Sequence, residues 1–264
     1  MSPVQVLRWW SEAGVDLAMD EEPHDRFAEP PPAAPPVRLA PTALAPRPAP
    51  RIEQAAAAQP DEAARSAKAL AAGAATLEEL KNSLDNFDAC GLKATATQLV
   101  FSDGAPNARL MLVGEAPGGD EDRVGRPFVG RAGQLLDRML AAIGLDRTKV
   151  YIANVVPWRP PGNRTPTLQE TAICLSFIQR QIELVDPDLL VCLGASSAQT
   201  LLGVKEGITR VRGQWFDYQS GERTIKALAM LHPAYLLRQP AQKRAAWRDL
   251  RALARRLVEI GINE

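Results

Sequence analysis

Cysteine is scarce in this chain of 264 residues, which has only Cys90, Cys174 and Cys192. An odd and widely spaced set excludes a disulfide framework and agrees with a reducing, cytoplasmic compartment such as the cytosol or nucleoid of a bacterium. Histidine is scarcer still, with two residues. His24 lies in an acidic amino-terminal stretch, so any imidazole chemistry falls to His232. No apolar run approaches the roughly 20 residues of a membrane helix, and the amino terminus lacks the basic-then-apolar pattern of a secretory leader. No membrane association is expected. Charge of one sign is also missing, with 31 basic and 31 acidic residues. Residues 1–75 hold 7 basic against 10 acidic residues, leaving 24 against 21 beyond them. That bias is too mild to announce a nucleic-acid partner by itself. No internal repeat is visible.

Proline and alanine are plentiful in one place. Twelve of the 22 prolines precede residue 76, and from Ala28 to Ala75 the two residue types dominate. Such a segment buries too little apolar surface to offset its chain entropy, so 28–75 is expected to be a disordered tether. Before it, residues 1–27 contain an amphipathic helix candidate with Val6, Trp9, Trp10, Ala13 and Leu17 near one face. It either packs as a stub on its own core or binds a protein partner through Trp9 and Trp10. The folded domain is expected over 76–264, with no sign of an oligomer, so a monomer is expected.

Within 76–264, apolar runs alternate with apolar-periodic segments. Thr76-Leu-Glu-Glu79 has capping-box spacing and opens a helix to about Phe87. Strands are expected at Leu110–Val113, Val150–Val155, Leu189–Leu193 and Ile225–Leu231, with helices at Ala132–Ile143, Leu168–Leu184, Ser196–Leu202 and Gln242–Ile260. The closing helix should bury Trp247, Leu250, Ala254 and Leu257. A small hairpin is expected around Ser220-Gly221, and His232 to Leu237 is expected to be a loop. Strand–helix alternation means βαβ units. The fold class expected is α/β, a three-layer α/β/α sandwich around a four-stranded parallel sheet, behind a disordered Pro/Ala-rich tail.

Three of these strands end on a polar residue: Glu115, Asn154 and His232. A parallel sheet gathers its carboxyl ends along one edge, where open α/β sheets keep their ligands. Between the first two strands, Gly125-Arg-Pro-Phe-Val-Gly130 pins Phe128 between a proline and two glycines, as an aromatic facing a ligand would be. Ala116 is expected to touch the substrate, while Ala116 and Gly118, being small, leave the wall of that site undetermined.

The blocks GEAPGGDED, GRPFVGRAGQLLD, YIANVVPWRPPGNR and LHPAYLLR, in this order, resemble the uracil-DNA glycosylase superfamily, in particular its family 4, the iron–sulfur type. The resemblance runs from about Asp88 to Leu257. It implies a monofunctional DNA glycosylase that takes uracil-containing DNA, releases uracil, leaves an abasic site and so starts base excision repair. The family's motif positions fall on Glu115, Glu121, Phe128, Asn154 and His232. A flipped-out base would stack on Phe128. Asn154 would accept from uracil N3–H and donate to O4, a pattern that cytosine reverses. A neutral His232 would donate to O2 as charge develops on the leaving ring. Glu115 would orient the attacking water, and Glu121 would support the pocket. Leu236 is expected to wedge into the vacated base stack, and Arg126, Arg159, Arg164 and Arg238 to grip phosphates.

The family's [4Fe-4S] cluster takes four cysteines, and the matching positions here are Phe87, Cys90, Trp158 and Cys174. Two thiolates do not hold a cubane that wants four ligands, so no cofactor and no metal site is expected. Two other readings stay open: a superfamily member with shifted base preference, such as hypoxanthine or xanthine, and a non-catalytic DNA-binding adaptor.

Overall fold

The computed structural model describes residues 60–262. The segment 1–27 with Trp9 and Trp10, the tether up to residue 59, and His24 lie outside the described residues. The last part of the stretch expected to be disordered is folded, because Pro60–Gly73 forms helix α1. Pro60 is the final proline before residue 76 and stands in the first turn, where its missing N–H costs nothing. Beyond it Ala63, Ala67 and Ala71, four residues apart, are all buried against the long helix α5 described below. Each alanine buries little area, so the composition looks disordered, yet the missing side-chain bulk is what lets two helices approach closely. Helix α2 (Leu77–Asp85) starts as expected, with the Thr76 hydroxyl accepting from Glu79 N at 3.1 Å and the Glu79 carboxylate from Ala75 N at 2.7 Å.

Six strands form one sheet: β1 (Asp103–Gly104), β2 (Leu110–Gly114), β3 (Tyr151–Asn154), β4 (Leu189–Leu193), β5 (Trp215–Ser220) and β6 (Arg223–Met230). Their spatial order is β1-β3-β2-β4-β6-β5. The four central strands are parallel, as expected; β1 and β5 add antiparallel edges and bring the sheet to six. With two residues β1 is too short to show any period. The expected hairpin and the expected fourth central strand share β6, which pairs with β5 on one side and β4 on the other.

The remaining helices are α3 (Gly119–Val124), α4 (Arg131–Ala141), α5 (Leu168–Val185), α6 (Ala195–Leu202), α7 (Ile208–Val211), α8 (Pro233–Arg238) and α9 (Lys243–Glu259). Strand side chains alternate between the two faces. Met111, Val113, Tyr151, Ala153, Leu190 and Cys192 meet α1, α2 and α5 on one side. Leu112, Ile152, Val191, Leu193, Leu228 and Met230 meet α4 and α9 on the other. This is the three-layer sandwich. Because both faces are covered, β2 and β4 are buried at every position, and their sequences run apolar without alternation.

Two details differ from expectation. The buried stripe of α9 runs through Ala246, Asp249, Leu250, Leu253 and Leu257, which leaves Trp247 at its edge, 45% exposed. Asp249 takes the inward position because it is paired with Arg212. The second difference is that His232–Leu237 is no loop. His232 caps the short helix α8, with Pro233 in its first turn.

Candidate active site

The site is assembled at the carboxyl ends of the central strands, and glycine decides how closely its parts approach. Gly114, the last residue of β2, pairs with Asn154, the last of β3. A Cβ on Gly114 would lie 2.4 Å from Asn154 Oδ1 and 2.7 Å from the Phe128 ring, so only a bare backbone admits both side chains. Strand β4 lies between β2 and β6 and is followed directly by Gly194, with φ of 100°. A Cβ there would sit 3.1 Å from that of His232. His232, which follows β6, therefore reaches across the position where β4 offers no side chain.

Phe128 is buried and has a left-handed backbone, φ 55°. For a bulky residue this conformation costs on the order of 1–3 kcal/mol and persists only where the surroundings impose it. Glu121 imposes part of it. Its Oε1 accepts from Val129 N at 2.9 Å and Gly130 N at 2.8 Å, and its Oε2 from Gly118 N at 3.2 Å, which ties the loop after β2 to the loop carrying Phe128. The Phe128 ring stacks on His232 with centroids 5.4 Å apart and planes 29° apart.

His232 Nδ1 accepts from Ala234 N at 3.1 Å. In the neutral ring the proton then resides on Nε2. Burial, reinforced by the Arg238 charge, lowers the His232 pKa to about 4. Glu115 shifts the other way. Its carboxyl is pushed above the ordinary carboxylate range by burial, against a smaller opposing effect of the Thr165 hydroxyl. Glu115 Oε1 is buried with no hydrogen-bond partner among the described residues. An orphaned buried oxygen costs free energy unless something polar fills the space beside it. Asn154 is 6% exposed, and among the described residues its side-chain amide makes no hydrogen bond.

These residues share one cleft of about 210 Å³, lined by Glu115, Ala116, Glu121, Phe128, Asn154 and His232 together with the loop Pro160 to Thr165. Of the four arginines expected near it, only Arg164 lines the cleft, and it is held in a bidentate pair with Glu170 at 2.8 and 2.6 Å. That pair holds the Glu170 pKa at about 2. Arg159 bonds Asn163 at 2.7 Å and stands 3.8 Å from Asp122. Arg126 is exposed, 4.0 Å from Asp103, and Arg238 is exposed at the end of α8. The expectation for Leu236 is overturned: it is 1% exposed and packs with Leu231 and Ala246. The turn of α8 rotates it inward, out of reach of a base stack.

Sequence reasoning missed Thr165, Asn163, Asp122 and Arg147. Asp122, beside Glu121 in the acidic run 120–122, is buried and accepts from Thr97 N and Oγ1, both at 2.8 Å. Arg147 precedes β3 with no local pattern around it. The prolines and glycine of 157–166 exclude a regular element there but do not say which way the loop folds.

The residues do not supply a four-cysteine cluster. Cys90 and Cys174 are buried free thiols that perturb each other's pKa, Cys90 lowered and Cys174 raised, and the other two positions are the buried side chains of Phe87 and Trp158. Phe87 packs edge-on against Phe177 with centroids 5.3 Å apart. Cys192 is fully buried on β4. Among the described residues no three His, Cys, Asp or Glu side chains group as metal ligands.

Residues 101–251 match the model of the Uracil DNA glycosylase superfamily. A type-4 uracil-DNA glycosylase of Thermotoga maritima is 44% identical over 163 residues, covering 61% of this chain and 83% of that protein. The type-4 uracil-DNA glycosylase of Archaeoglobus fulgidus is 40% identical, covering 62% of this chain and 85% of its own length. That of Sulfurisphaera tokodaii is 37% identical, with 67% and 83% covered.

Proposed function

The chain belongs to the uracil DNA glycosylase superfamily, and from that membership and the chemistry of its cleft we propose that it hydrolyses the N-glycosidic bond of deoxyuridine flipped out of DNA. It releases uracil, leaves an abasic site and thereby begins base excision repair in the cytoplasm. The observation that carries this reading is that Glu115, with its orphaned oxygen, lines one cleft together with Asn154 and a histidine whose Nδ1 accepts a hydrogen bond, which leaves the proton on Nε2.

In the reaction the bond between the sugar C1′ and uracil N1 breaks, and its electron pair leaves with the uracil ring. Asn154 accepts from N3–H and donates to O4, which selects uracil over cytosine. His232 Nε2–H donates to O2, where negative charge accumulates only as the bond opens. A donor aimed at that charge lowers the barrier more than it tightens ground-state binding. Keeping the ring neutral means it donates without giving up its proton. Glu115 Oε1 accepts a hydrogen bond from the water that adds to C1′ and takes the proton that water sheds, its carboxylate offsets the positive charge growing on the sugar, and the uracil anion is protonated from solvent after it leaves. Phe128 forms the platform under the flipped base, Ala116 its wall, and Glu121 fastens the two loops. No lysine lines the cleft among the described residues, in keeping with hydrolysis rather than a Schiff-base step. Arg126, Arg159, Arg164 and Arg238 meet the phosphates flanking the flipped nucleotide, and the protein works without an iron–sulfur cluster.

The test is incubation with a single uracil-containing oligonucleotide, followed by alkali. A cleaved strand, absent with cytosine at the same position, is the expected result. A gel shift without cleavage would leave only a DNA-binding adaptor, and cleavage at hypoxanthine but not uracil would mark a shifted base preference.

A further inference from the structure

We infer that Arg147 is a positioning residue for the base platform: its guanidinium holds the backbone on which Phe128 stands, and so sets the ring against His232. The inference rests on the glycosylase reading of the cleft for its catalytic consequence, though not for its geometry. Arg147 Nε donates to Asp137 Oδ1 at 2.8 Å, and Nη1 donates to Asp103 Oδ2 at 2.6 Å and to Pro127 O at 3.1 Å. Nη2 donates to Phe128 O. Four of the five guanidinium N–H groups are thus engaged.

The Phe128 segment is gripped by groups of opposite polarity. Glu121 takes the N–H groups of Val129 and Gly130, while Arg147 takes the carbonyls of Pro127 and Phe128. Gly133 closes the third side, since a Cβ on it would fall 1.6 Å from Phe128 O. A left-handed phenylalanine needs such restraint, because without it the backbone relaxes towards ordinary φ values and the ring leaves His232.

Arg147 does not line the cleft, so it acts through Phe128. It is also a poor phosphate ligand. Two carboxylates neutralise its charge, and its side chain is 23% exposed. Lysine offers one compact ammonium in place of a planar fork and does not span two carboxylates and two carbonyls.

The test uses the full chain and three variants, Arg147→Met, Arg147→Lys and Asp137→Asn. The chain has two histidines, so proton NMR resolves the His232 ring signals, which the stacked Phe128 ring shifts upfield. In Arg147→Met those signals should move towards free-imidazole positions. In parallel kcat/KM for a uracil-containing single strand should fall about a hundredfold, with affinity for an undamaged strand unchanged. Arg147→Lys should recover only part of the loss. Asp137→Asn, which keeps the arginine but loosens its anchor, should move both readouts the same way by less, and it decides the matter if Arg147→Met does not fold.

A folded variant with wild-type His232 signals and wild-type turnover overturns the inference. So does a loss confined to DNA affinity with a shallower salt dependence, which would make Arg147 a phosphate contact. If the wild-type chain releases no uracil, the glycosylase reading fails on its own, while the NMR arm still decides whether Arg147 sets Phe128.

Discussion

His232 is kept neutral by its burial, with the Arg238 charge adding to it, and this has consequences in two pH ranges. The unfolded imidazole titrates near its ordinary 6.5 and the folded one near 4. Between those values the unfolded chain binds a proton that the native chain refuses, so stability should fall as pH drops from about 6.5 to about 4. Urea unfolding of His232→Gln should show that slope reduced. The same replacement should lower kcat about 10²–10³-fold, the usual cost of losing one donor to a developing oxyanion. Turnover should instead follow Glu115, whose burial raises its pKa. The acid limb of kcat/KM should therefore lie above the ordinary carboxylate range, and Glu115→Gln should abolish that limb together with most of the rate. Asn154→Asp replaces the donor half of the amide. Side-by-side kinetics on uracil and cytosine strands should show the preference narrowing by roughly 1–3 kcal/mol.

Helix α5 serves both the core and the rim. Thr167 Oγ1 accepts from Glu170 N at 3.2 Å, and Glu170 Oε2 accepts from Thr167 N at 2.7 Å while also pairing with Arg164 at the cleft. Thr167→Ala should cost about 1 kcal/mol, seen as a Tm lower by about 2–4 °C. Glu170→Ala should cost as much and also release Arg164 and Thr165, so only this variant should lose kcat/KM. Helix α1 makes the complementary case for small residues. Ala67 is fully buried where α1 packs on α5, and Ala67→Leu should overpack that contact by about 1–3 kcal/mol, measurable by thermal melting.

At the scale of the whole molecule, Phe87 and Trp158 stand buried in the core at two positions where the family resemblance implies cluster cysteines. They share one apolar cluster with Phe177, Cys90 and Cys174, and the proposed absence of a cluster makes a direct prediction. Protein purified anaerobically should contain no stoichiometric iron, and chelators should leave its Tm unchanged. The double variant Phe87→Cys, Trp158→Cys restores four thiols; iron assay and a visible spectrum would show whether the site then takes up about four irons.

The sequence by itself determined the parallel centre of the sheet, because runs such as Leu110–Val113 and Leu189–Leu193 are apolar on both faces and suit only covered strands. It also placed Glu115, Asn154 and His232 together, since each ends a strand and parallel strands share one edge. Tertiary structure alone decided the rest. Helix α1 exists because alanines four residues apart meet α5, a contact 100 residues distant that no local composition reveals. Leu236 points inward because α8 turns, although its neighbours read as a loop. Asp122, Arg147 and Thr165 act through partners far along the chain, and the left-handed Phe128 is imposed from outside its own segment. Local pattern reports what a residue prefers, and only packing reports what its distant neighbours require of it.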